Sequence, residues 1–321
     1  MPTDPTGPPA SRTRPSVIVL GDLMLDVVLA PERPLEQGTD VPGRVMLRQG
    51  GSAASTARWL GRLGARVQLI TAVGRDPAGG ALLAAVRRDR VVLRAIRVAG
   101  TRTGRIGVLV ASGGERSFVA DRGAADTLGP GDLQSGWFTG TDALHLPAYS
   151  ILGDPLGLAG RLAATLAREA GAVVSLDLAS SGPLLAAGRA AARDLITALR
   201  PDLLFATESE GAALVGMRTA ERLLALAPVA IVKRGSKGAT VLIRPEAASD
   251  PPLRFDVATS PMQASDTTGA GDAFDAGFLV GWLGGQPAQR RSAAALRRAV
   301  VAGHRAAARQ LTRPAEELRL G

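Results

Sequence analysis

Short apolar runs recur along this chain, each closed by glycine, proline or a polar residue. Between them lie stretches whose apolar positions fall three and four apart. Ser16-Val17-Ile18-Val19-Leu20, ending at Gly21, predicts a buried first strand, and residues 67–73 a second. Between these two strands, Ala57, Leu60 and Leu63 mark a helix that stops at Gly64, and residues 78–88 predict the next helix. From residue 143 onward the alternation is regular. Apolar strands at 143–146, 173–176, 203–206 and 229–232 are separated by helical patterns near 155–170, 183–199 and 208–215, and a last helix runs over about 288–311. Strand–helix alternation of this kind predicts a parallel sheet covered by helices on both faces. Two segments break the rhythm. Residues 27–49 and 91–122 are interrupted by Pro and Gly and partly alternate, as in Ile106-Gly107-Val108-Leu109-Val110, which predicts a small separate sheet standing off the main one.

Composition narrows the chemistry. The 321 residues, 46% hydrophobic, are enough for one large α/β domain or two small ones. No cysteine occurs and the only histidines are His145 and His304, which argues against disulfides, thiolate metal sites and histidine-based triads. No apolar run reaches the roughly 18 residues a membrane span needs. Residues 1–15 are Pro-rich without an apolar h-region, so they read as a disordered lead-in to a cytoplasmic protein. The net charge of +9 raises a nucleic-acid reading, but the basic residues are spread along the chain and no recognition motif accompanies them. Lys233 and Lys237 are the only lysines, leaving 36 of the 38 basic residues as arginine. That is a compositional habit, which can still draw anionic substrates.

The candidate chemistry gathers at Asp266-Thr267-Thr268-Gly269-Ala270-Gly271-Asp272-Ala273-Phe274. A turn of small residues opening a helix leaves backbone N–H groups unpaired at the positive end of the helix dipole, which suits phosphate. Asp272 falls in the first turn, where a carboxylate can stay charged and accept a proton. There is no G-x-x-x-x-G-K-[ST], so the turn is not a P-loop, and the third glycine of a dinucleotide fingerprint would fall on Phe274. Asp22 and Asp26 follow the first strand, at the carboxyl end where ligands collect in open sheets. Asp22 reads as a turn residue and Asp26 as a functional one. Gly50-Gly51, opening the helix that contains Ser55, would let backbone approach a ligand closely.

The string D-T-T-G-A-G-D-A-F-x-A-G resembles the C-terminal signature of the ribokinase-like (PfkB) family of carbohydrate and nucleoside kinases. The glycines from Gly50-Gly51 on to Gly64 and Gly74 resemble its N-terminal signature, with Ser55 where the family has asparagine. The resemblance spans about residues 16–314, leaving 315–321 as a C-terminal tail. It implies a ribokinase-like α/β fold whose small sheet is a lid over the substrate. It also implies ATP with Mg2+, K+ as a further option, and a homodimer formed through the lid.

The resemblance assigns roles residue by residue. Asp272 would be the general base, with the N–H groups of Gly269, Ala270 and Gly271 on the transferred phosphoryl group. Thr207-Glu208-Ser209-Glu210 stands where the family has N-x-x-E, so Glu210 would organise Mg2+ through water while Thr207 replaces the asparagine. Gly235 and Gly238 would form the nucleotide-binding turn, Lys233 or Lys237 would face the ATP phosphates, and His304 would border the adenine. Asp266 and Thr268 are candidates for a monovalent cation. Asp26, Gly50, Gly51, Ser55 and the lid residue Arg116 would meet the acceptor. For Arg116 a solvated strand charge is an equal reading, and for Asp177, at the end of its strand, a turn role is as good as a site role. Low aromatic content, with Trp59, Trp137, Phe138 and Tyr149 assigned to packing, favours a sugar or small polyol over a nucleoside. The competing classes are a non-catalytic sugar or nucleotide sensor, suggested by Ser55 and Thr207, and an arginine-rich nucleic-acid binder.

Overall fold

The computed structural model describes residues 14–111, 115–216, 220–247, 249–262, 264, 266–314 and 316–320. In chain order the strands and helices are β1 (Ser16–Leu20), β2 (Met24–Pro31), β3 (Gly43–Gly50), α1 (Ser52–Arg62), β4 (Arg66–Gly74), α2 (Pro77–Arg87), β5 (Val91–Val98), β6 (Arg105–Val110) and β7 (Arg116–Asp121). There follow β8 (Ala143–Pro147), α3 (Tyr149–Leu152), α4 (Leu156–Glu169), β9 (Val173–Asp177), α5 (Ser181–Leu184), α6 (Arg189–Leu199), β10 (Leu203–Thr207), α7 (Glu208–Val215) and β11 (Val229–Lys233). The chain closes with β12 (Ala239–Ile243), β13 (Leu253–Val257), α8 (Ala270–Leu283) and α9 (Ala293–Thr312).

Nine strands form one sheet in the order β13-β12-β11-β10-β9-β8-β1-β4-β5. From β5 to β11 every pairing is parallel, and only β12 and β13 run antiparallel. Alternation along β1 shows why both faces are covered. Val17 and Val19 enter one core with α1, α8 and α9, while Ile18 and Leu20 enter the other beside α4. Two-sided burial explains why these strands are nearly continuous apolar runs.

A second sheet, ordered β3-β2-β6-β7, stands apart. The lid segment expected from residue 91 is shorter than that: Val91–Val98 pairs in parallel with β4 and forms the edge of the large sheet. Its alternating pattern is that of a half-covered edge strand, which looks the same in sequence as a lid strand. The C-terminal stretch also differs from a tail. The Leu318 N–H donates to the Leu47 carbonyl of β3 at 2.7 Å, and Leu318 is buried.

The parallel order puts the carboxyl ends of β1, β9, β10 and β11 on one rim, where ligands bind in open α/β sheets. α8 is fixed over that rim by aromatic packing: the Phe205 ring of β10 meets Phe278 edge-on at 5.2 Å and Phe274 at 6.4 Å. Gly277 lets α9 lie against α8, since a Cβ there would stand 2.6 Å from the Ala302 carbonyl oxygen.

Candidate active site

The segment leading into α8 separates two cavities. Thr268 and Gly269 line one of about 490 Å³ beneath the lid sheet, and Thr267, Ala270 and Gly271 line the other, of about 1090 Å³. Gly269, the residue before the helix, has φ 73°, a left-handed conformation that glycine adopts at no steric cost. The Ala270 N–H is taken by the Thr267 carbonyl at 3.2 Å. The N–H groups of Gly269 and Gly271 donate to no described residue, so the expected three-donor hole is reduced to these two and their neighbours at the helix start.

Asp272 lies in the first turn of α8, and its Oδ1 accepts from the Ser52 hydroxyl of α1 at 2.6 Å. Burial pushes its carboxyl up to about 7. The Ser52 hydrogen bond and Lys233 oppose the rise, and Asp177 and Asp22 add to it. A carboxylate with a midpoint near neutrality suits proton abstraction. Ser52 was not singled out in the sequence. Its signal is its position as the first helical residue after Gly50-Gly51.

On the larger cavity, Lys233 is 11% exposed and its Nζ donates to Asp177 Oδ1 at 3.1 Å and to both oxygens of Asp275 at 3.2 Å. It therefore anchors two buried carboxylates rather than pointing freely at phosphates. Burial works against its charge, but Asp177, Asp275 and Glu210 outweigh it and hold the ammonium above the usual lysine range. Asp275, the variable position of the signature, is fully buried with its carboxyl raised well above normal by burial and Asp177. Asp177 thus has a side-chain role in this cluster.

Thr207 and Glu210 form a reciprocal cap on α7. Glu210 Oε2 accepts from the Thr207 N–H at 2.7 Å, and the Thr207 hydroxyl accepts from the Glu210 N–H at 3.2 Å. Burial and Asp177 raise the Glu210 carboxyl despite that bond. Gly235, at φ 57°, opens onto the same cavity. Gly238 is a packing glycine as well, because a Cβ would stand 2.1 Å from the Val257 carbonyl oxygen. His304 on α9 lines this cavity with its ring 5.4 Å from Phe274. Among the described residues no three metal-ligating side chains converge.

Asp26, Ser55 and Arg116 all line the smaller cavity. Asp26 Oδ1 is buried without a partner, and burial and Asp22, against Arg48, push the carboxyl up to about 7. Gly50 makes room for it, since any Cβ there would overlap the Asp26 carboxylate. Gly51, with φ 93°, lets the chain pass the Asp22 carbonyl. Asp22 itself is structural: its Oδ1 accepts from the Ala53 N–H at 3.1 Å at the start of α1.

Arg116 is not a solvated strand charge. Its Nη2 donates to Asp266 Oδ1 at 2.6 Å, and Arg48 Nη1 donates to Asp266 Oδ2 at 2.8 Å. The Thr268 N–H also bonds Asp266 Oδ1 at 2.9 Å. Two guanidiniums thus meet the Asp266 carboxylate, and the Thr268 carbonyl accepts from Gln310 at 2.8 Å, so both candidates for a monovalent cation have protein partners. Trp59, assigned to packing, lines this cavity too, as does Phe118, which is 61% exposed on the lid.

Compared with known proteins, residues 14–317 match the pfkB family of carbohydrate kinases. An ATP-dependent ribose-1-phosphate kinase of Halopiger xanaduensis is 32% identical over 279 residues, covering 83% of this chain and 84% of that protein. A fructokinase of Klebsiella pneumoniae is 30% identical over 279 residues, covering 82% and 83%. Among solved structures, the adenosine kinase of Sinorhizobium meliloti superposes with a TM-score of 0.78 at 24% identity, covering 96% of this chain and 98% of that one. A fructokinase of Vibrio cholerae O395, solved with fructose, ADP and calcium ion, gives 0.76 at 23% identity, covering 94% of each. The large mostly parallel sheet with its small second sheet is the ribokinase-like α/β fold.

Proposed function

The chain belongs to the pfkB family of carbohydrate kinases, and from that premise we propose that it transfers the γ-phosphoryl group of ATP to a hydroxyl of a sugar or small polyol. It is an ATP-dependent carbohydrate kinase; the acceptor and the division of labour within the site are what we add. The observation that carries the reading is the partition: one glycine-containing turn walls two cavities, and Asp272 stands in the first turn of the helix that follows it.

The larger cavity takes the nucleotide, with its base toward Phe274, His304, Ala307 and Ala308 and its phosphates toward the helix start. ATP would supply the group transferred, a divalent ion on its phosphates would neutralise charge, and Glu210 would organise that ion through water. The smaller cavity takes the acceptor, whose hydroxyls satisfy the unpartnered oxygen of Asp26. Asp272 accepts the proton of the attacking hydroxyl, and the N–H groups of Gly269 and Gly271 meet the oxygens of the group in transfer. Ser52 holds the Asp272 carboxylate in one orientation. Such catalysis is largely positioning and charge stabilisation.

The test is acceptor-dependent conversion of ATP to ADP over a panel of sugars, polyols and nucleosides with magnesium. Turnover with a sugar or polyol is expected. Preference for a nucleoside over every sugar would replace the acceptor assignment, with Trp59 and Phe118 as the rings to stack its base.

A further inference from the structure

The acceptor-side cavity carries more positive charge than its own carboxylates can neutralise. Six arginines line it (Arg44, Arg48, Arg58, Arg62, Arg116, Arg313) against three carboxylates, those of Asp26, Asp266 and Glu316. Three of the six are spoken for: Arg58 and Arg62 close on Asp89 behind the wall at 2.5 and 2.8 Å, and Arg313 pairs with Glu316. The other three belong to the lid strands. Arg44 makes no ion pair with a described residue, while Arg48 on β3 and Arg116 on β7 share the single carboxylate of Asp266.

One carboxylate cannot neutralise two guanidiniums. Each of these arginines presents five N–H donors in a rigid fork, and Arg116 uses one on Asp266. Both are largely covered, at 13% and 22% exposed, and both line the cavity. Arg48 stands beside Asp26 in the β2–β3 pairing, and Asp266 holds Arg48 and Arg116 at the cavity from the two edge strands of the lid sheet. A neutral sugar would leave this paired positive charge uncompensated. A tetrahedral dianion with three oxygens matches two guanidiniums approaching from different strands better than a planar carboxylate does.

We propose that the acceptor is a phosphorylated sugar, with its existing phosphate held by Arg48 and Arg116 and its hydroxyls directed to Asp26. The assignment rests on the acceptor role of this cavity and adds the charge class of the substrate. Arg48 and Arg116 are then specificity-determining residues, set in place by Asp266.

Binding is measured by calorimetry on the full chain with magnesium and a non-hydrolysable ATP analogue filling the nucleotide cavity. The probes are ribose against ribose 1-phosphate, fructose against fructose 6-phosphate, and gluconate as the carboxylate. At least one phosphorylated sugar should bind about 10- to 100-fold more tightly than its neutral parent, as charged hydrogen bonds would give. Arg48→Gln and Arg116→Gln should each reduce that ratio about tenfold or more. A variant that fails to fold shows as a lost melting transition, and the ratio in the unaltered protein still decides. Equal binding of neutral and phosphorylated sugars, tighter binding of gluconate, or no binding of any phosphorylated sugar overturns the proposal. Transfer to neutral sugars alone would leave the kinase reading standing and remove this one. Arginine-dependent phosphate preference without transfer would do the reverse.

Discussion

The buried cluster around Lys233 and the cavity beneath the lid are opposite in charge balance. In the cluster one buried ammonium, Lys233, faces the carboxylates of Asp177, Asp275, Glu210 and Asp272. On the lid side several guanidiniums face few carboxylates, two of them sharing Asp266. Each imbalance implies what is missing. Excess carboxylate raises the pKa of the acids present and suits an arriving cation, as with a nucleotide that brings its own magnesium. Excess guanidinium suits an arriving anion. Asp272 lies in the first turn of α8, and its near-neutral midpoint comes first from burial, with Asp177 and Asp22 adding to the rise.

The largest expected effect comes from removing the base. Asp272→Asn should lower turnover by about 10²–10⁴-fold while nucleotide affinity stays within a few-fold, measured by steady-state rates and nucleotide titration. The amide keeps the shape and can still receive the Ser52 hydrogen bond, but it cannot accept a proton.

Breaking the buried cluster at Lys233 should cost stability. Lys233→Met leaves Asp177 and Asp275 without their partner, a loss of about 3–5 kcal/mol for a buried pair, read from denaturant midpoints. The double variant Lys233→Met/Asp275→Asn should regain part of it. No difference between single and double variants would show that the cluster is not held by charge.

On the lid side, Asp26→Ala should weaken acceptor binding by about 1–3 kcal/mol, seen as a raised KM for acceptor with nucleotide KM unchanged. An unchanged acceptor KM would place the acceptor elsewhere.

Stability should also carry the sign of the raised acids. Asp26 and Asp272 hold protons in the folded chain up to about 7, while the unfolded chain releases them near 3.8. Within that window the folded state binds more protons than the unfolded, so these two groups lower stability as pH rises. Their replacement together by asparagine should flatten the fall in melting temperature between pH 5 and pH 7. An unchanged slope would mean the two carboxyls titrate normally.

The smallest effect concerns Thr207. Its hydroxyl caps α7, a task asparagine also performs well. Thr207→Asn should therefore keep the fold and lower the magnesium needed for half-maximal rate by a few-fold. A shift upward would mean that the threonine is compensated by another group.

Much of this was legible in the sequence because it is local. β1 and α7 fall where the apolar runs and Thr207-x-x-Glu210 put them, and the glycine turn before Asp272 carries its own conformational signature. The unread parts depend on tertiary pairing. Ala239–Ile243 and Leu253–Val257 form an antiparallel edge to the sheet that strand–helix alternation does not announce. Val91–Val98 has the pattern of a lid strand and the partner of a core strand. Asp275 reads as a helix residue until Lys233, 42 positions away, is seen beneath it. Arg48 reads as a strand charge, and Arg116 equally as a strand charge or a lid residue, until Asp266 joins them, 218 and 150 positions along the chain.

The most direct measurement is the pH dependence of kcat at saturating acceptor and ATP–magnesium, in the unaltered enzyme beside Asp272→Asn. The account predicts that the unaltered enzyme loses turnover as pH falls and Asp272 takes up its proton, while the residual turnover of the variant is flat over the same range. A parallel acid limb in both proteins would contradict it, because the proton acceptor would then be some other group.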